Sequence, residues 1–145
     1  MRFQIFATLG LCLTAQIASA QDNSSIQLPP EGARGEQYTT VTRGGITEHI
    51  FTSDEAIAAA RDGEPFPNGT VITMDDYRDG ALHRILVMEK RGEWEGGTAG
   101  AWRFREFAPD GSPNLSENGG RCASCHAGRA ADDYVFTRDR MSGAN

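Results

Sequence analysis

Lysine is almost missing from this chain. Its 145 residues include a single one, Lys90, and the other basic side chains are arginine, outnumbered by 20 acidic groups for a net charge of −6. That balance excludes the basic face a nucleic-acid binder would need and suits a protein that meets a basic partner. Histidine is scarce, with three residues, and so is cysteine, with three. No apolar run reaches the ~20 residues that span a bilayer comfortably, and no internal repeat is visible. The length suits one domain.

What is present begins at the N-terminus. Arg2 supplies a short positive region, and an apolar stretch from Phe3 to Ile17 follows, interrupted by Thr8 and Thr14. Ala18-Ser19-Ala20 then forms the small-x-small pattern read by signal peptidase. Residues 1–20 are therefore expected to be a signal peptide cut before Gln21, the alternative being an uncleaved anchor. Cleavage makes the protein periplasmic, with no membrane span left. It also removes Cys12, so that only Cys122 and Cys125 remain.

Those two cysteines sit in Cys122-Ala123-Ser124-Cys125-His126. C-x-x-C-H is the attachment sequence for c-type haem. The two thiols can add to the two vinyl groups of one porphyrin edge, and the adjacent imidazole can coordinate iron. Two rivals exist. An exported pair of cysteines could form a disulfide, and zinc could bind if His49 or His83 supplied further ligands. The export signal and the adjacent histidine favour one covalent haem c, with His126 on its iron.

Between these landmarks the chain reads as strands and turns. Residues 21–37 are polar, carry Pro29-Pro30, Gly32 and Gly35, and read as a flexible leader. The domain is expected over 38–141. Strands are expected at Tyr38–Val41, Ile46–Phe51, Thr70–Met74, Leu82–Lys90 and Ala101–Phe107. Asp79-Gly80 and Asp110-Gly111 mark turns. Thr52-Ser53-Asp54-Glu55 reads as a capping box with Thr52 as N-cap, opening a helix through Ala56–Ala60 that Gly63 stops. A second short helix is expected at Arg121–Ala127. The fold class is α+β: a mainly antiparallel sheet with a few short helices. The haem motif comes last, so any sixth iron ligand must come from upstream.

Three further stretches, taken in order with C-A-S-C-H, resemble a known family. Pro65-Phe66-Pro67-Asn68-Gly69-Thr70-Val71 is similar to the F-x-(D/N)-G-T-V turn and strand of the cytochrome P-460 and cytochrome c'-beta family. Trp102, Phe104 and Phe107 match its W-x-F-x-x-F strand, and Asp133-Tyr134-Val135-Phe136-Thr137 matches its D-x-V-F-T tail. The resemblance implies an antiparallel β domain with packed helices, often a homodimer, carrying one covalent haem. It implies two chemistries. P-460 proteins oxidise hydroxylamine and bond a lysine to the porphyrin; c'-beta members lack that bond and are linked to nitric oxide. The family's lysine position falls on Met74, and Lys90 lies on a different strand, which favours the c'-beta side.

Met74 is therefore the candidate sixth ligand, since a thioether suits haem iron, the alternative being a gap-filling apolar side chain. His49 is either a distal group or a partly exposed strand histidine, and His83 reads as surface. Arg121 and Arg129 are candidate partners for haem propionates or solvent-facing helix ends. The expected function is electron transfer, nitric oxide binding, or both, with a redox protein or the diatomic gas as partner. The alternative is a hydroxylamine oxidase or peroxidase-like enzyme, which needs an open iron and a proton-handling group. His49, Glu48, Asp75 and Asp76 are the candidates for that group.

Overall fold

The computed structural model describes residues 22–143. The expected signal peptide, with Cys12, lies outside them. Five strands, β1 (Glu36–Arg43), β2 (Ile46–Thr52), β3 (Val71–Arg78), β4 (Ala81–Lys90) and β5 (Trp102–Phe107), form one antiparallel sheet in the order of the chain. Three short α-helices accompany it: α1 (Asp54–Arg61), α2 (Gly120–His126) and α3 (Arg138–Ser142), with 3-10 turns at Glu31–Ala33, Gly92–Trp94 and Ala127–Asp132. The α+β class read from the sequence is the class observed.

Local chemistry accounts for the hairpins. Asp79 and Gly80 both have positive φ, 48° and 81°, and they alone join β3 to β4. Two consecutive left-handed residues twist in the same sense as the strands they connect, which is why Asp-Gly is favoured there. β3 runs further than Thr70–Met74 because its two extra acids are matched. Asp75 takes two bonds from Arg34 Nη1, at 2.7 and 2.9 Å, and Asp76 takes one from Arg84 Nε at 2.9 Å.

The helix α1 starts one residue later than the capping box suggests. Ser53 is its N-cap, and the Ser53 hydroxyl accepts the Ala56 amide. Thr52 is instead the last residue of β2, fully buried, with its hydroxyl donating to the Val71 carbonyl at 2.8 Å. Pairing with Glu36 on one side and Ile72 on the other holds Thr52 extended.

Alternation divides the sheet into two faces. Across the register, Ile50, Met74 and Leu86 lie side by side, as do Thr52, Ile72, Met88 and Phe104. These form the front face. Ile85, Val87 and Phe107 form the apolar back, and Ile26, fully buried, packs onto them. The stretch read from composition as a leader is thus laid over the sheet. Arg105 donates to the carbonyls of Ser24 and Ile26, both at 2.7 Å, and Asn23 donates to the Phe104 carbonyl at 2.8 Å. A few bonds to edge-strand groups and one isoleucine suffice to anchor a segment that is polar on average.

The C-terminal segment crosses the front. Its first helix, α2, packs on β5, and its last, α3, on β1 and α1. Tyr38 on β1 shares a 2.6 Å hydrogen bond with Thr137, just before α3, and Met141 is buried in the front core with Ile57. Between segment and sheet a cavity remains.

Candidate haem site

The site is built on α2, and α2 is placed by a glycine. Gly119 precedes the helix with φ of 76°, a conformation that L-residues with side chains rarely adopt. A Cβ there would collide with the Phe104 carbonyl oxygen. The helix can therefore begin only as close to β5 as a bare backbone allows. Cys122, Cys125 and His126 then follow at spacings of three and four, which share one helical face. Ala123, on the other side, is buried against the core. Neither cysteine forms a disulfide; Cys122 is half-buried and Cys125 exposed. Burial pushes the Cys122 thiol above its ordinary pKa, against the pull of Arg121.

His126 is held by its backbone surroundings. Its Nδ1 lies 2.6 Å from the Tyr134 carbonyl oxygen. A carbonyl can only accept, so Nδ1 carries the proton and Nε2 keeps its lone pair. Burial lowers the imidazole pKa below its ordinary value, with the Tyr134 bond working in the other direction. The ring is gripped between Phe104, with centroids 4.7 Å apart, and Phe136, at 4.9 Å and nearly perpendicular. A neutral, oriented imidazole with Nε2 free is the form that binds a metal.

Cys122, Cys125 and His126 open on a cavity of about 620 Å³, within the size range of roughly 300–1,000 Å³ common for cofactor pockets. The opposite wall is the front of the sheet: Ile50, Ile72, Met74, Leu86 and Met88. Val135 and Phe136 close one side, and Thr137, Asp139 and Arg140 lie at α3. The far end is charged. Arg43 donates to Glu48 at 2.8 Å, and Arg84 bridges Asp76 and Glu106, each at 2.9 Å. Among the described residues no group of three His, Cys, Asp or Glu side chains is arranged to hold a bare metal ion.

A model of the cytochrome P460 family matches residues 31–137. The chain belongs to the cytochrome P460 family. No curated protein matches it. Members of the P460 family carry haem and its iron, and the cavity suits that group on three counts. It has the volume, its walls are mainly apolar, and its donors are an imidazole, a thioether and two thiols, which are the side chains that ligate or tether haem.

The residues singled out in the sequence divide around this P460 site. Met74 lines the cavity, as does Met88, which sits directly beside Phe104 in the register. Lys90 does not: its Nζ is bound to Asp133 at 2.6 Å, beside the Trp102 ring. His49 faces away, with Nδ1 near Gln37 and Thr40 at 3.1 and 3.2 Å and its ring edge-on to Tyr77. His83 is exposed. Of the candidate proton-handling acids, Glu48 lines the cavity, Asp76 lies behind Arg84, and Asp75 is on the back with Arg34. Arg121 lines the cavity but pairs with Glu117 at 3.1 Å; Arg129 pairs with Asp132 at 3.0 Å, outside the lining. Arg43, Arg84 and Arg140 were not anticipated. The only sequence signal for Arg43 and Arg84 is their alternation with Val41 and Leu86, which needs the register to be read.

Proposed function

We propose that this protein is an exported c-type cytochrome of the c'-beta kind. In this reading Cys122 and Cys125 tether one haem by adding their S–H bonds across its vinyl groups, a step that needs no oxidant. His126 would hold its iron through Nε2, and Met74 would offer a thioether weak enough for nitric oxide to take its place. When bound, the haem supplies an iron that changes by one electron and can take a diatomic gas.

The observation that carries the reading is the state of His126. Its Nδ1 proton is committed to the Tyr134 carbonyl at 2.6 Å, so the ring presents Nε2 to a cavity that both thiols line. The sheet residues give that cavity a mainly apolar wall and offer a thioether from Met74. A neutral thioether favours ferrous over ferric iron, so its bond is firmer in the reduced state. The hydroxylamine-oxidising alternative needs a lysine at the porphyrin, and the single lysine is engaged by Asp133. Electron transfer to a redox partner and nitric oxide binding are compatible in one molecule, since a weak thioether can be displaced.

Acid–acetone extraction of the denatured, haem-loaded protein tests the tether. Colour should stay with the protein, and haem leaving into the solvent would end the c-type reading. The mass of the haem peptide should show two thioether bonds. A third bond to the protein would return the chain to the hydroxylamine-oxidising kind.

A further inference from the structure

Two residues close to the axial histidine have no task in the reading above. Asp133 and Tyr134 are consecutive non-glycine residues with left-handed backbone, φ of 50° and 63°. Such a conformation is unfavourable for a tyrosine and persists only where the surroundings impose it. Here they do. The Asp133 carboxylate accepts from Lys90 Nζ at 2.6 Å and the Phe66 amide at 2.8 Å through one oxygen, and from Trp102 Nε1 at 3.3 Å through the other. Three separate pieces of chain, the end of β4, the start of β5 and the turn before β3, thus converge on one side chain. The Tyr134 ring lies against Gly100, where a Cβ would come within 2.6 Å of it, and Val135 is buried. The group these contacts present is the Tyr134 carbonyl, bonded to His126.

We propose that Lys90 and Asp133 are positioning residues for the axial histidine, clamping the left-handed loop so that the Tyr134 carbonyl fixes the orientation and basicity of the His126 ring. The proposal rests on His126 being the iron ligand. It gives the lone lysine a role one step removed from the cofactor. A hydrogen bond to the non-ligating nitrogen makes an imidazole a stronger donor, and a stronger donor stabilises ferric iron. Releasing the loop lets water replace the carbonyl, weakens the donor and raises the reduction potential.

The test compares haem-loaded wild type with Lys90→Met, Asp133→Asn and Lys90→Arg, reading reduction potential and urea midpoint for each. Lys90→Met and Asp133→Asn should shift the potential upward, and Lys90→Arg, which keeps the ion pair, should stay near wild type. Variants that lose urea resistance but keep the wild-type potential overturn the proposal, leaving the ion pair a matter of stability alone. If neither disruptive variant loads haem, proton NMR of the wild-type ferrous carbonyl complex decides. A slowly exchanging His126 Nδ1 proton coupled to the Tyr134 carbonyl supports the clamp, and a freely exchanging one overturns it. A wild-type protein without histidine ligation brings down the haem assignment first, and is recognised before any variant is made.

Discussion

At His126 a backbone oxygen, rather than a carboxylate, decides which ring nitrogen is protonated. Across the cavity on the sheet is Met74; under the ligation proposed for it, exchange for alanine should turn a low-spin six-coordinate haem into a high-spin five-coordinate one and speed nitric oxide uptake. Met88→Ala should do neither, because Met88 sits in the register beside Phe104, which packs on the histidine ring. Optical spectra in both oxidation states check this, and a wild type already high-spin in both would refute ligation by Met74. On the back of the sheet, burial pushes the Asp75 carboxyl above its ordinary pKa, and Arg34 partly restrains it. A carboxyl raised on folding contributes its stability below the unfolded pKa and loses it as pH rises through the folded one. Arg34→Ala removes the restraint, so its cost should grow with pH. It should be small below about pH 4, the ordinary carboxylate range, and about 3–5 kcal/mol at neutrality, as for breaking a buried pair. Urea unfolding at the two pH values measures it, and an equal deficit at both would contradict the assignment.

Among the elements, α1 and α2 depend on single residues. Ser53→Ala should cost about 1 kcal/mol through loss of the N-cap, readable as a lower urea midpoint. Gly119→Ala should push α2 off β5 and reduce the covalent haem per protein, measured by absorbance against peptide concentration. The five strands were legible because their apolar residues alternate and Asp79-Gly80 marks a two-residue turn. The cap was not. Thr52 and Ser53 are both good caps, and only the pairing of Thr52 with Glu36 and Ile72 keeps it in the strand. α3 has five residues and depends on Met141 and Arg138 reaching partners far away in sequence, which no local pattern records. Cys122, Cys125 and His126 were legible because the motif is local. Arg43 and Arg84 were not, since their place at the cavity follows from strand pairing.

For the whole molecule, the back of the sheet matters as much as the front. Ile26→Ala should cost about 2–5 kcal/mol, as for other buried large-to-small changes, and urea unfolding would show it. No loss at all would mean that the segment before β1 contributes nothing to the domain. Among the described residues, no helix is long and apolar enough to cross a membrane. The strand order has a consequence for biogenesis. Every hydrogen-bonded strand pair is also a pair of neighbours along the chain, so the sheet can be added to strand by strand in the order of the chain, with no pairing between strands distant in sequence to raise its contact order. The thiols come only after its last strand. A polypeptide emerging from its N-terminus can therefore have the rear wall standing before Cys122 arrives, and the attachment motif is delivered on a short flap. Thiols tethered to haem as proposed would therefore meet their cofactor against a sheet whose strands have all been made.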